Sequence, residues 1–200
     1  TSRTENISDT AMVTAVRRWA IVPSEDSGDV PHENYRGEGY MQSLPDQTPP
    51  NVWRVWLMRG DTHFTRREID EAVADFSKAI EIEGDELLPW TSRAACYCEQ
   101  GQWAKAADDY ARTVDLSPDD VVVRYRCAST RLAAEDFAGY RKACADLLER
   151  FAKTDDPMVA NWVAWTAALA PAAVDDYAPC IALATKAVEA KRDDRQFLNT

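Results

Sequence analysis

The pattern of large apolar and small side chains repeats along the chain with a spacing of 34 residues. Within each period, apolar residues recur every three or four positions, which is typical of amphipathic helices. A repeat of this length predicts antiparallel helix pairs that stack, because one hairpin cannot bury its own apolar stripe. The matching residues are Trp56 and Trp90, Gly60 and Ala94, Ala72 and Ala106, and Phe76 and Tyr110.

The spacing divides residues 53–200 into hairpins, and positions are counted below from the first residue of each. Residues 53–86 and 87–120 follow the pattern clearly, whereas 121–154 and 155–194 depart from it. Tyr140 occupies position 20 of the third repeat, where a small residue is expected, and an insertion between Pro171 and Pro179 lengthens the turn of the fourth. A fifth hairpin is predicted to start at Arg195.

Residues 1–52 do not join this period. Ser8 and Asp9 are alternative N-caps for a short helix through Met12, Val13, Val16 and Trp19, and Pro23 would stop that helix. Residues 24–50 are rich in acids, glycine and proline, which is the composition of a linker. Two interpretations stay open: an N-terminal helix that packs on the array, followed by an irregular connector, or the remnant of an upstream domain.

On these residues the chain resembles the tetratricopeptide-repeat (TPR) family. The resemblance implies an all-α fold, a TPR-like α-solenoid whose hairpins form a right-handed superhelix after an irregular N-terminal segment. In that family the first helix of each hairpin lines a concave face that binds a peptide or protein partner. The matching residues here are Arg54, Leu57, Asp61, Phe64, Thr91, Glu99, Tyr125, Ser129 and Leu132.

Some members of the family grip the terminal carboxylate of a chaperone with Lys and Asn at positions 5 and 9 of these helices. The corresponding pairs here are Leu57/Asp61, Thr91/Ala95 and Tyr125/Ser129. None of them contains Lys or Asn, so we expect no chaperone binding through a carboxylate clamp. Two interpretations of the face stay open: it binds a partner, or its residues cover each other or are covered by the N-terminal segment.

The chain from Trp90 onward also resembles TPR tails of large planctomycete proteins, namely multidomain serine/threonine kinases and WD-repeat proteins. The strings that carry this likeness are YRKACADLLERF at 140–151, KTDDP at 153–157, VANWVAWT at 159–166 and FLNT at 197–200. The likeness implies a non-catalytic interaction region of a longer bacterial protein, without showing that a kinase is attached.

Side chains that commonly carry chemistry are scarce. His32 and His63 are the two histidines, and no metalloprotease, Walker or nucleophile-elbow motif is present. His63 falls where a buried aromatic is expected, so we predict that it packs or hydrogen-bonds. Cys96 and Cys98 would point in different directions on a helix, and the five cysteines are interpreted as free buried thiols in a reducing, cytoplasmic compartment. We expect no catalytic residue, metal or cofactor.

The net charge of −11 repels phosphate backbones, so nucleic acid is not an expected partner. No apolar run is long enough to cross a bilayer, and no membrane association is expected. The acidic pairs Asp108-Asp109 and Asp119-Asp120 are interpreted as helix-surface and capping residues. The sequence predicts a protein-binding scaffold or adaptor; the alternative is a structural spacer or oligomerisation region of a larger multidomain protein such as a kinase.

Overall fold

A computed structural model describes residues 52–197, and all the regular structure in this range is helical. The helices are α1 (Val52–Thr65), α2 (Ile69–Ile82), α3 (Leu87–Glu99), α4 (Trp103–Leu116), α5 (Val121–Ala133), α6 (Phe137–Phe151), α7 (Pro157–Ala168) and α8 (Ala178–Phe197). They pack as four successive hairpins, α1/α2 to α7/α8, and each second helix also contacts the next first helix. The expected all-α architecture is confirmed.

The helix bounds relate simply to the predicted repeats. α3 begins at Leu87 and α5 at Val121, the residues predicted to open the second and third repeats. The predicted N-terminal helix and linker lie outside the described residues. A new helix was expected from Arg195, but α8 continues without a break from Ala178 through Phe197, because no glycine or proline interrupts it after Pro179.

Small residues allow the two helices of a hairpin to approach closely. A Cβ atom on Gly60 would lie 2.5 Å from the ring atom Cε1 of Phe76, which is itself buried. Ala72 faces the same cluster and is fully buried. The equivalent residues of the second hairpin, Ala94 and Ala106, are fully buried as well. The helix contact therefore has no room for a larger side chain at these positions.

In the third hairpin the sizes are exchanged. Tyr140 stands where Ala72 and Ala106 stand in the first two hairpins, and Cys144 stands where an aromatic is expected. Both side chains are buried. The Tyr140 hydroxyl donates to the carbonyl oxygen of Thr166 at 2.7 Å. The larger residue therefore reaches past its own hairpin and ties α6 to the end of α7.

An ion pair with a buried carboxylate joins the two helices of each of the first two hairpins. Arg93 donates from Nε and Nη2 to the two carboxylate oxygens of Asp109 at 2.8 Å each, and Arg59 pairs with Asp75 in the same way. Burial would lower the pKa of Arg93, but its hydrogen bonds to Asp109 outweigh that effect and raise it. The interpretation of Asp109 as a surface acid is therefore wrong: this carboxylate is buried.

The turns of the first three hairpins share one backbone conformation. Gly101 has φ of 69°, and the residues at the same position of the other turns, Arg67 and Glu135, have φ of 64° and 63°. The next amide closes each turn; in the second hairpin Gln102 N donates to the Tyr97 carbonyl at 2.8 Å. A left-handed residue is thus a fixed part of the connection, and glycine is the residue that adopts it without strain.

The fourth hairpin has the longer turn that the insertion predicts. Residues 169–177 connect α7 to α8, and the Tyr177 hydroxyl accepts from Ala173 N at 3.0 Å. Ala173 and Cys180 are buried in one cluster with Leu132 of α5. The insertion therefore covers part of the third hairpin instead of extending into solvent.

Replacing Asp109 by Asn is expected to lower the free energy of unfolding by about 3 kcal/mol, because the Arg93 charge would be left buried without a counterion. Urea denaturation of the full chain followed by circular dichroism measures the change. The control is Asp108→Asn at the exposed neighbouring position, which should change stability by less than about 0.5 kcal/mol. Equal effects of the two substitutions would contradict the role of the buried pair.

Gly101→Ala is expected to destabilise the chain by about 1–2 kcal/mol, since alanine at φ of 69° places its Cβ atom against the backbone. Gly84→Ala is the matched control, because a Cβ atom there meets nothing nearer than the Ile80 carbonyl at 3.5 Å. Thermal melting of both variants tests the difference. A melting temperature equal to that of the unmodified chain for Gly101→Ala would show that the turn tolerates the strain.

Candidate functional site

The predicted binding residues of α1 are partly exposed. Arg54 and Asp61 are exposed, and Phe64 is half-buried against the core of the first hairpin. Leu57 is buried in that core beside Trp53. The polar residues of α1 are therefore accessible to a partner, whereas Leu57 belongs to the interior.

On α3, the two predicted residues have local partners. The half-buried Thr91 donates its hydroxyl to the Leu87 carbonyl within the same helix at 3.1 Å. Glu99 accepts from Arg67 Nη1 at 3.0 Å, which links the turn after α1 to the end of α3. Exposed ion pairs of this kind contribute little to stability, so Glu99 is able to exchange this partner for another.

The predicted residues of α5 separate into two groups. Ser129 and Leu132 are only 2% and 1% exposed, so they cannot contact a partner directly. The cluster around Leu132 includes Ala167 of α7 and Cys180 of α8, which shows that the fourth hairpin covers this part of α5. Tyr125, one turn before Ser129, is half-buried and stays at the surface.

Tyr125 forms a cluster with two tryptophans of α7. Its ring centroid lies 4.9 Å from that of Trp162, and the two rings are tilted by 48°. Burial raises the pKa of Tyr125, and a hydrogen-bond contact with Trp165 acts in the opposite direction. Trp165 is nevertheless 45% exposed. Tyr125, Trp162 and Trp165 are called the aromatic cluster below; two of its rings are half-buried and the third is exposed.

The sequence prediction of the site omitted both tryptophans. Trp162 occupies position 8 of the fourth repeat, where Gly60, Ala94 and Ala128 stand in the others. A large aromatic at a position that requires a small residue is a signal that the local packing differs. That departure could have identified the cluster before the structure.

His63, the one histidine among the described residues, has two acidic neighbours. His63 Nδ1 lies 2.6 Å from Glu68 Oε2 and its Nε2 lies 3.7 Å from Asp75 Oδ2, which agrees with the prediction that it hydrogen-bonds. Across the described range, no group of three His, Cys, Asp or Glu side chains is placed to hold a metal ion. None of the helices between residues 52 and 197 is sufficiently long and apolar for a membrane span.

Comparisons with known sequences give short matches. No family model matches the chain. A stretch of 70 residues is 31% identical to the protein unc-45 homolog B of Mus musculus and 27% identical to its counterpart in Xenopus tropicalis. Each match covers 34% of this chain and only 8% of the relative. The chain therefore spans a small part of these longer proteins.

Comparisons with solved structures identify the class of fold. The MamA RS-1 ArsTM double mutant superposes with a TM-score of 0.54 at 14% identity, over 73% of this chain and 79% of that one, and another MamA crystal structure gives 0.53 at 12% identity over 74% and 82%. The first TPR domain of Spaghetti (RPAP3), bound to the HSP90 peptide SRMEEVD, gives 0.48 at 19% identity over 62% and 96%. The described residues have a TPR-like α-solenoid fold.

The described cysteines should be unreactive in the folded chain. All five are free and buried, and burial raises the pKa of Cys96, Cys98 and Cys144 to about 12. The thiols are then protonated at neutral pH, and we expect labelling with a disulfide reagent to be more than about 100-fold slower than in denaturant. Labelling of any thiol at the denatured rate would contradict this burial.

Proposed function

We propose that this chain is a non-catalytic protein-interaction scaffold that binds a peptide or protein segment along the first helices of its hairpins. The observation that carries the proposal is the aromatic cluster, in which Trp165 is 45% exposed beside Tyr125 and Trp162. The exposed polar residues Arg54 and Asp61 lie on α1, the first of the same series of first helices.

The aromatic cluster has the properties of an anchor for a partner. Trp and Tyr are enriched among the residues that dominate binding energy, because they bury a large area and lose few rotamers. The ring of Tyr125 is already packed on Trp162, so binding would order little that is not ordered beforehand. An apolar or aromatic side chain of the partner would cover the exposed part of Trp165.

The charge of the chain and the residues of the first helices also exclude some classes of partner. The chain carries a net charge of −11, which disfavours nucleic acid. At clamp positions 5 and 9, Leu57 is buried and Asp61 is acidic, so neither would attract a terminal carboxylate. We therefore infer that the partner is not a chaperone tail held by its carboxylate.

One observation favours a second candidate function, that of a spacer or oligomerisation region. Ile181 and Val188 of α8 are largely exposed and lie on the outer side of the fourth hairpin. Exposed apolar residues at the end of an array are suited to stacking against another helix. Light scattering of the full chain distinguishes the functions, since an oligomerisation region would give a dimer or larger species.

The proposed setting is a longer bacterial protein in a reducing compartment such as the cytoplasm. The support is the likeness of residues 90–200 to planctomycete TPR tails, together with five free thiols that pack in the cores of the hairpins. Thiols of this kind persist where disulfides do not form.

Peptides selected from a random display library against the full chain should lose affinity on Trp165→Ala by about 2 kcal/mol, which is about 30-fold in Kd. The expected loss follows from removal of the exposed ring that the partner would cover. Isothermal titration calorimetry measures it, with circular dichroism as the test of folding.

The matched control is Phe137→Ala, an aromatic residue of similar exposure on α6, outside the aromatic cluster. This variant should bind the selected peptides with unchanged affinity. Unchanged affinity of Trp165→Ala, or equal losses of affinity in both variants, would contradict the proposal that Trp165 anchors the partner.

A further inference from the structure

The outer side of α1 carries an exposed stripe. Val55 is 39% and Met58 is 50% exposed, and Thr62 is exposed one turn further along. Residues at this spacing share one face of a helix. Val55, Met58 and Thr62 are called the α1 stripe below.

On α3 and α5, two of the three equivalent positions are buried. Val55 and Thr62 occupy positions 3 and 10 of their repeat. The residues at these positions on α3 and α5 are Pro89, Cys96, Val123 and Thr130, all of them buried. On α7 the residues at these positions, Pro157 and Ala164, are exposed and half-buried, so it is on α3 and α5 that this face is covered.

The helix that precedes the second hairpin covers this face of α3. Cys96 of α3 is fully buried in the cluster that contains Phe76 and Ala79 of α2. α5 also packs on α4, where Cys127, at position 7 of its repeat and thus beside this face, shares a cluster with Tyr110. The stacking seam thus continues across α1 toward a helix that would precede it, and the described residues contain no such helix.

We propose that residues 9–22 form a helix that packs on the α1 stripe in the place of a preceding second helix. Met12 and Val16 are four residues apart, a spacing that places two side chains on one face of a helix. Trp19 continues the same face of the helix. This pattern is the one that a second helix requires to cover the next hairpin.

The chain connection favours this segment over a second copy of the protein. Residues 23–51 connect the proposed helix to α1, and a linker of about 29 residues has an average span of roughly 30 Å. The stripe lies on a helix of 14 residues, about 21 Å long, so the linker reaches all of it. A segment on such a linker has an effective concentration of about 1 mM, which exceeds that of a separate molecule in dilute solution.

The test is disulfide formation between Val16→Cys and Met58→Cys in the full chain, where the native thiols are buried. The control pair is Val16→Cys with Met158→Cys, since Met158 is more exposed than Met58 and lies on α7. We expect the first pair to form an intramolecular disulfide at least about tenfold faster than the control pair. Peptide mapping identifies the linked residues.

Equal rates for the two pairs would overturn the proposal, because they would show no preference for the α1 stripe. Disulfide-linked dimers between residues 16 and 58 would also overturn it and assign the stripe to a second copy.

A second measurement keeps the test independent of the cysteine variants. Val16→Asp should accelerate hydrogen exchange of residues 52–65 about tenfold and leave residues 103–116 unchanged, and an unchanged rate at 52–65 would count against the proposal.

Discussion

The close approach of the two helices within each hairpin is the constraint on which the rest of the structure depends. Gly60 leaves room for the Phe76 ring, and Ala94 and Ala106 keep the same contact in the second hairpin. The close contact within a hairpin sets the shape of its outer face, and the next hairpin packs on that face. A pair such as Arg93 and Asp109 is possible for the same reason, because the helices exclude water around it.

The helical hairpins were predictable because their signal is local. The apolar spacing and the small residues at the helix contact lie within one repeat. The buried carboxylate of Asp109 was not predicted, since Asp108 and Asp109 differ only in the side of the helix that they occupy. The recurrence of Arg59 and Asp75 as Arg93 and Asp109 was a signal that went unused.

The candidate site was less predictable. Its residues were assigned from the positions that bind partners in the TPR family, and the third and fourth hairpins depart from that pattern. Leu132 was expected at the surface, but the turn after α7 places Ala170 and Ala173 against it. Trp162 stands at position 8, where the other three hairpins have a small residue, and its ring lies on Tyr125. Contacts between distant repeats decide which residues are exposed, and a single-repeat pattern does not contain them.

The departures from the pattern are concentrated at one end of the array. The third hairpin has Cys127 and Ala143 where the first two have the arginine and aspartate of the ion pair, and it has Tyr140 in place of alanine. The next hairpin adds the insertion and the exposed Trp165. Sites of function are where local rules are broken and compensated. Tyr140 replaces a small residue, but its hydrogen bond to Thr166 gives it a role in packing. Trp165 of α7 stays exposed, so packing alone does not explain why a tryptophan stands there.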